Sequence, residues 1–87
     1  MYRYEDYRGA LLTDKGQRLV MEAYTIALGL ADVAGAFTLF KMLRRVDYGD
    51  TFTANAIGDR LVELGYVRVV GQLPNSEPVF VLVKREA

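Results

Sequence analysis

The chain has 87 residues, eleven of them basic and eleven acidic, with no histidine and no cysteine. That length fits one domain, and the missing residue types exclude disulfides, thiol or imidazole zinc sites and histidine-based triads. A neutral balance leaves nucleic-acid binding open only if the cations gather on one face, while 52% hydrophobic content in so short a chain points to stabilisation by association.

Residues 1–10 read as a short extended segment, polar and aromatic, in which Tyr2 and Tyr4 alternate as in a strand. They contain no apolar core of a signal peptide, and the absence of cysteine makes a cytoplasmic setting the default. Residues 11–87 are expected to form the folded domain. A first helix is predicted from Thr13 or Asp14 to about Leu30, with Asp14 and Gln17 at capping-box spacing. Asp32 is a good N-cap for a second helix over Val33–Val46. Asp47-Tyr48-Gly49-Asp50 is turn chemistry, and Thr51 or Thr53 then caps a third helix ending near Gly65. Beyond it, Tyr66–Val70 and Val79–Val83 are β-branched and aromatic runs, joined by a Gly/Pro/Asn/Ser loop from Gly71 to Pro78. Pro78 opens the second strand, where no ladder donor is lost.

Tyr24–Phe40 carries only one charge, Asp32, over 17 residues. A spanning helix needs about 20 apolar residues, and a central Asp costs about 2.5–3.5 kcal/mol. Gly29 and residues 31–35 read as a break between two helices, so a soluble protein is expected, with a small membrane protein as the weakest alternative.

The run Thr53-Ala54-Asn55-Ala56-Ile57-Gly58-Asp59-Arg60-Leu61-Val62-Glu63-Leu64-Gly65-Tyr66-Val67, followed by a hairpin, resembles the recognition helix and wing of the winged helix-turn-helix superfamily. Leu12-Thr13-Asp14-Lys15-Gly16 is similar to a helix opening common in bacterial regulators of this kind. The resemblance spans about residues 12–85 and holds at superfamily level. It implies an α+β fold: a three-helix domain with a C-terminal β-hairpin wing.

Helical periodicity assigns the faces. On the third helix Ile57, Leu61 and Leu64 form a core stripe flanked by Thr53 and Ala54. Asn55, Asp59, Val62 and Glu63 face outward, and Arg60 covers a flank with its stem. On the second helix Leu39, Met42, Leu43 and Val46 are the apolar arc, with Phe40 and Ala36 beside it. Thr38, Lys41, Arg44 and Arg45 collect opposite. The first helix buries Leu19, Val20, Ala23, Ile26, Ala27 and Leu30, yet Met21, Tyr24 and Leu28 lie opposite that face. An all-round apolar helix is covered on both sides, either by the Tyr2/Tyr4/Tyr7 segment or by a second chain. A homodimer through Met21, Tyr24 and Leu28 is the expectation. The predicted core is Leu19, Ile26, Leu39, Leu43, Ile57, Leu61, Leu64, Val67 and Val81.

As the resemblance implies a DNA-binding protein, the candidate contacts follow from charge. Lys41, Arg44 and Arg45 are the best phosphate contacts, with Arg68 on the wing and Lys84 and Arg85 after it. Thr51, Thr53, Asn55, Asp59 and Arg60 are the candidates on the third helix. Its acids repel phosphate, so DNA binding competes with a plainer assignment as a solvated face. The functional expectation is a transcriptional regulator or mobile-element accessory protein. The alternative is a protein-binding winged-helix module, such as a small phage-type inhibitor or a subunit of a larger complex. Asp47 with Asp50, and Glu5 with Asp6, are ordinary turn and terminal acids. No phosphate loop or calcium loop is present, so neither catalysis, a cofactor nor a metal is expected.

Overall fold

The computed structural model describes residue 9 and residues 11–83. The expected extended segment at 1–10, apart from Gly9, lies outside the described residues, as do Lys84 and Arg85. Within them the chain forms a small α+β domain in the order α1 (Asp14–Ala34), β1 (Ala36–Thr38), α2 (Leu39–Met42), α3 (Thr51–Glu63), β2 (Val67–Gln72) and β3 (Pro78–Leu82). The three strands make one antiparallel sheet in the order β1-β3-β2.

α1 opens on Thr13, whose Oγ1 accepts the Gly16 N–H at 3.1 Å. The expected Asp14–Gln17 box does not form. Gln17 Nε2 instead donates to the Leu12 carbonyl at 2.9 Å, and Asp14 lies in the first turn, where its charge meets the positive end of the helix dipole. The predicted break near Leu30 is also absent. Gly29 inside the helix costs only about 1 kcal/mol relative to Ala, and the buried Ala23 and Ala27 with the packed Leu30 and Ala31 hold the helix together past it. It stops at Gly35, which has φ +78° and donates its N–H to Ala31. Asp32 therefore sits in the last turn of α1 and caps nothing.

The second helix predicted over Val33–Val46 is replaced by β1, the four-residue α2 and a turn. Thr38 Oγ1 accepts the Lys41 N–H at 3.4 Å and caps α2. Leu39, Met42, Leu43 and Val46 are all buried as expected, although only the first two are helical. Phe40 and Ala36, placed beside that arc, are exposed.

α3 is capped by Asp50, whose Oδ1 accepts the Thr53 N–H at 2.8 Å. Thr51 and Thr53 lie inside the helix. Asp50→Ala should lower stability by about 1 kcal/mol, read as a Tm fall of about 4–8 °C; an unchanged Tm would show that the cap contributes nothing. At the other end Gly65 N–H bonds Val62 and Tyr66 N–H bonds Leu61, both at 3.0 Å. With Gly65 at φ +75° this is a Schellman closure, and it turns the chain directly into β2.

β3 is the middle strand and pairs Phe80 with Phe37 on one side and Val69 on the other. Phe80, Phe37 and Val67 are buried against the helices. Val81, predicted as core, is only half-buried. Val79-Phe80-Val81-Leu82 is apolar at every position, so alternation could not choose the face, and a one-residue error moves the whole set to the other side. Leu19, Ile26 and Leu64 pack against the core half-buried, while Leu11, Val20, Ala23, Ala27, Ala54 and Ala56 are inside it. Among the described residues no helix is long and apolar enough to cross a membrane.

The hairpin tip is tighter than its composition suggests. Leu73 N–H bonds Glu77 at 2.8 Å and Ser76 N–H bonds Leu73 at 2.9 Å. Pro74, Asn75 and Ser76 thus form a type I turn closed by a left-handed residue, and Ser76 takes that position with φ +70°. Ser76→Gly should relieve the side-chain clash and raise stability by about 0.5–1 kcal/mol. Urea denaturation reads it, and a loss would mean that the Ser76 side chain stabilises the turn.

Candidate nucleic-acid interface

Burial alternates sharply along Lys41–Val46. Met42, Leu43 and Val46 anchor the segment in the core, so Lys41, Arg44 and Arg45 are forced outward and exposed. Lys41 ends α2, and the two arginines lie in the turn that follows. Among the described residues none of the three is held by a carboxylate. Three cations are therefore exposed in the stretch ahead of α3, at the end of a short helix and in a turn, not along one long helix.

α3 presents Thr51, Phe52, Asn55, Asp59, Val62 and Glu63 to the outside. Thr53 is half-buried. Arg60, also half-buried, places Nη1 3.3 Å from Glu63 Oε2. An exposed pair of this kind adds little stability, but it offsets the one cation of the helix against a neighbouring acid. Phe52 is 57% exposed and was not singled out from the sequence. Its signal was an aromatic residue two positions after a cap, on the polar side of the helix.

The hairpin tip comes to the start of α3. Leu39, Phe40, Thr51 and Asn55 on one side and Asn75, Ser76, Glu77 and Pro78 on the other enclose a groove of about 230 Å³. Glu77 closes it by accepting the Phe40 N–H on Oε1 at 2.7 Å, and Asn75 Oδ1 accepts the Glu77 N–H at 3.1 Å. Thr51 and Asn55 are thereby brought together with the tip, in a groove whose one charged wall residue is an acid. Arg68 is not gathered here. It pairs with Val81, which pairs with Ala36, on the sheet face opposite Phe80 and away from the helices.

The expected interface on α1 is divided. Met21 and Leu28 are exposed at 47% and 41%. Tyr24, expected opposite the core face, instead stacks on Tyr66 with ring centroids 4.5 Å apart and planes inclined by 21°, a separation usual for aromatic pairs. Beside it, Leu11, Val20, Met21, Arg60, Leu64 and Tyr66 line a depression of about 260 Å³. No charged or polar side chain is buried among the described residues, and none of them form a group of three carboxylates suited to a metal ion.

Among the described residues these features define a small α+β domain with the three helices α1–α3 and a three-stranded antiparallel sheet, with a basic turn before α3. Comparison of the chain with models of protein families, with curated proteins and with solved structures finds no match.

Proposed function

We propose that residues 11–87 form a non-catalytic winged-helix domain that binds duplex DNA, as a cytoplasmic transcriptional regulator or mobile-element accessory protein. Three helices leading into a β2–β3 hairpin support the winged-helix reading, with β1 extending the hairpin to a third strand. The observation that carries DNA binding is the exposed trio Lys41, Arg44 and Arg45 immediately ahead of α3. Cations there neutralise phosphates whatever the base sequence, and that attraction supplies most nonspecific affinity. Asn55, at the groove beside the hairpin tip, is the side chain suited to adenine. The test is titration with random and genomic duplexes at low and moderate salt. Binding that weakens steeply with salt is expected; no binding tighter than about 10⁻⁴ M at low salt would sink the reading.

A second reading, a protein-binding module, is favoured by the outward face of α3. Phe52 and Val62 with Asp59 and Glu63 make an apolar-acidic stripe without an outward cation, which suits a protein groove better than a phosphate-lined one. Under either reading the domain is a homodimer through α1, where Met21 and Leu28 lie exposed on a helix already folded by its other face.

A further inference from the structure

The homodimer reading fixes neither orientation nor register, and α1 carries information on both. From Gln17 its outer edge repeats at alternating steps of four and three: Gln17, Met21, Tyr24, Leu28 and Ala31. That is the spacing of a seam between two helices. Met21 and Leu28 are exposed, while Tyr24 and Ala31 are half-buried and pack against the core, Tyr24 on Tyr66, so the seam runs along the boundary between the buried and the open side of the helix. Arg18 and Asp32 flank the seam on its solvent side, and both are exposed.

The two charges are placed symmetrically. Arg18 stands seven residues before Thr25 and Asp32 seven residues after it, and α1 runs from Asp14 to Ala34, so its midpoint is Tyr24. A two-fold axis crossing the middle of the helix thus gives the longest overlap of two copies. Moving the axis one residue along, to Thr25, keeps nearly all of that overlap and sets each Arg18 level with the Asp32 of the other copy. In a parallel pair every Arg18 would instead lie level with Arg18, and Asp32 with Asp32.

We infer that a second copy of this chain docks on α1 in antiparallel orientation, with the two-fold axis near Thr25 and Arg18–Asp32 ion pairs at both ends. This rests on the homodimer reading and specifies its geometry; it does not depend on DNA binding. The contact is isologous, one surface meeting itself, and therefore closes at two subunits. The pairs set direction and register more than strength, as flanking charges do in paired helices. Helix nucleation adds no cost, because α1 is already ordered in each subunit.

The test separates the existence of the dimer from its geometry. Sedimentation of the full chain over a range of concentrations gives the dimer dissociation constant. Arg18→Asp or Asp32→Arg alone should weaken dimerisation about five- to tenfold, since each creates like-charge contacts at both ends. The double variant should return to within about twofold of the parent, because the swapped charges face each other again. Circular dichroism shows whether α1 remains folded. Because the chain has no cysteine, Thr25→Cys and Lys15→Cys each give one site for a spin label. The antiparallel pair predicts a short distance at residue 25 and a separation of about 30 Å along the helix at residue 15. Equal short distances at both sites, or a dimer whose double variant is not rescued, would overturn the antiparallel register and leave the dimer standing. A monomer at all concentrations would overturn both.

Discussion

Phe80→Ala should cost about 3–5 kcal/mol, the largest loss expected from any single truncation in this chain. Phe80 is the middle residue of the middle strand and is 2% exposed. Its ring lies 6.1 Å from that of Phe37 on β1. Across the layer it faces Gly58 of α3, where a Cβ would stand 3.3 Å from Phe80 Cζ and 3.0 Å from Leu39 Cδ1. Helix and sheet thus approach closely because α3 has no side chain at that point, and the phenyl ring fills the space. Truncation would leave a cavity with little able to collapse into it, since the facing residue is a glycine already at contact. At about 0.05–0.15 kcal/mol per residue, a domain of 87 residues has roughly 4–13 kcal/mol in all, so a large share of the folded state is at stake. Urea denaturation of Phe80→Ala and Val81→Ala side by side checks the assignment, with the half-buried Val81 expected to cost under about 1.5 kcal/mol. Equal losses, or a loss below about 1 kcal/mol at Phe80, would mean that β3 presents its other face to the helices.

The largest functional effect is expected from Arg44→Ala combined with Arg45→Ala. If both guanidinium groups neutralise phosphates, their removal should lower the magnitude of the salt slope by about 2 and reduce affinity by roughly 10- to 100-fold at about 0.1 M salt. The loss should be the same for every sequence, because phosphates carry no base information. Both side chains are exposed, so the fold should be unaffected. Asn55→Ala should do the opposite, altering preference among sequences with little change in the salt slope. A double variant that binds duplex as tightly as the parent would remove the basic turn from the interface. A uniform loss on Asn55→Ala would remove Asn55 from base contact.

The elements that were legible in the sequence share one property: their signals are local. Gly65 marks the end of α3 because a left-handed residue is needed to close a helix and turn away. Pro78 opens β3 because it needs no partner for an N–H it lacks. Of the stripe Ile57, Leu61 and Leu64, the first two are buried as helical spacing requires and Leu64 is half-buried, with the flanking Ala54 buried beside them. The cations of residues 41–45 are exposed because their apolar neighbours at 42, 43 and 46 are anchored.

What was not legible depended on contacts distant in the chain. The local signals of Val33–Val46 predict one helix capped by Asp32, yet the segment contains a helix end, a strand and a single helical turn. Nothing local distinguishes Ala36-Phe37-Thr38 as a strand; it is one because β3, more than forty residues later, offers Val81, Phe80 and Val79 as partners. Tyr24 has the outward spacing of an interface residue, but Tyr66 covers it after the chain has passed through α3. Arg68 was grouped with the other cations by charge, and the pairing of β2 with β3 turns it to the opposite face of the sheet. Composition and spacing alone therefore determined the class, one small α+β domain, together with the buried stripe of α3 and the exposure of the basic turn. The third strand, the face that β3 buries and the grouping of surface residues into separate sites were decided only by tertiary structure, because strand pairing and aromatic stacking join residues that no local period connects.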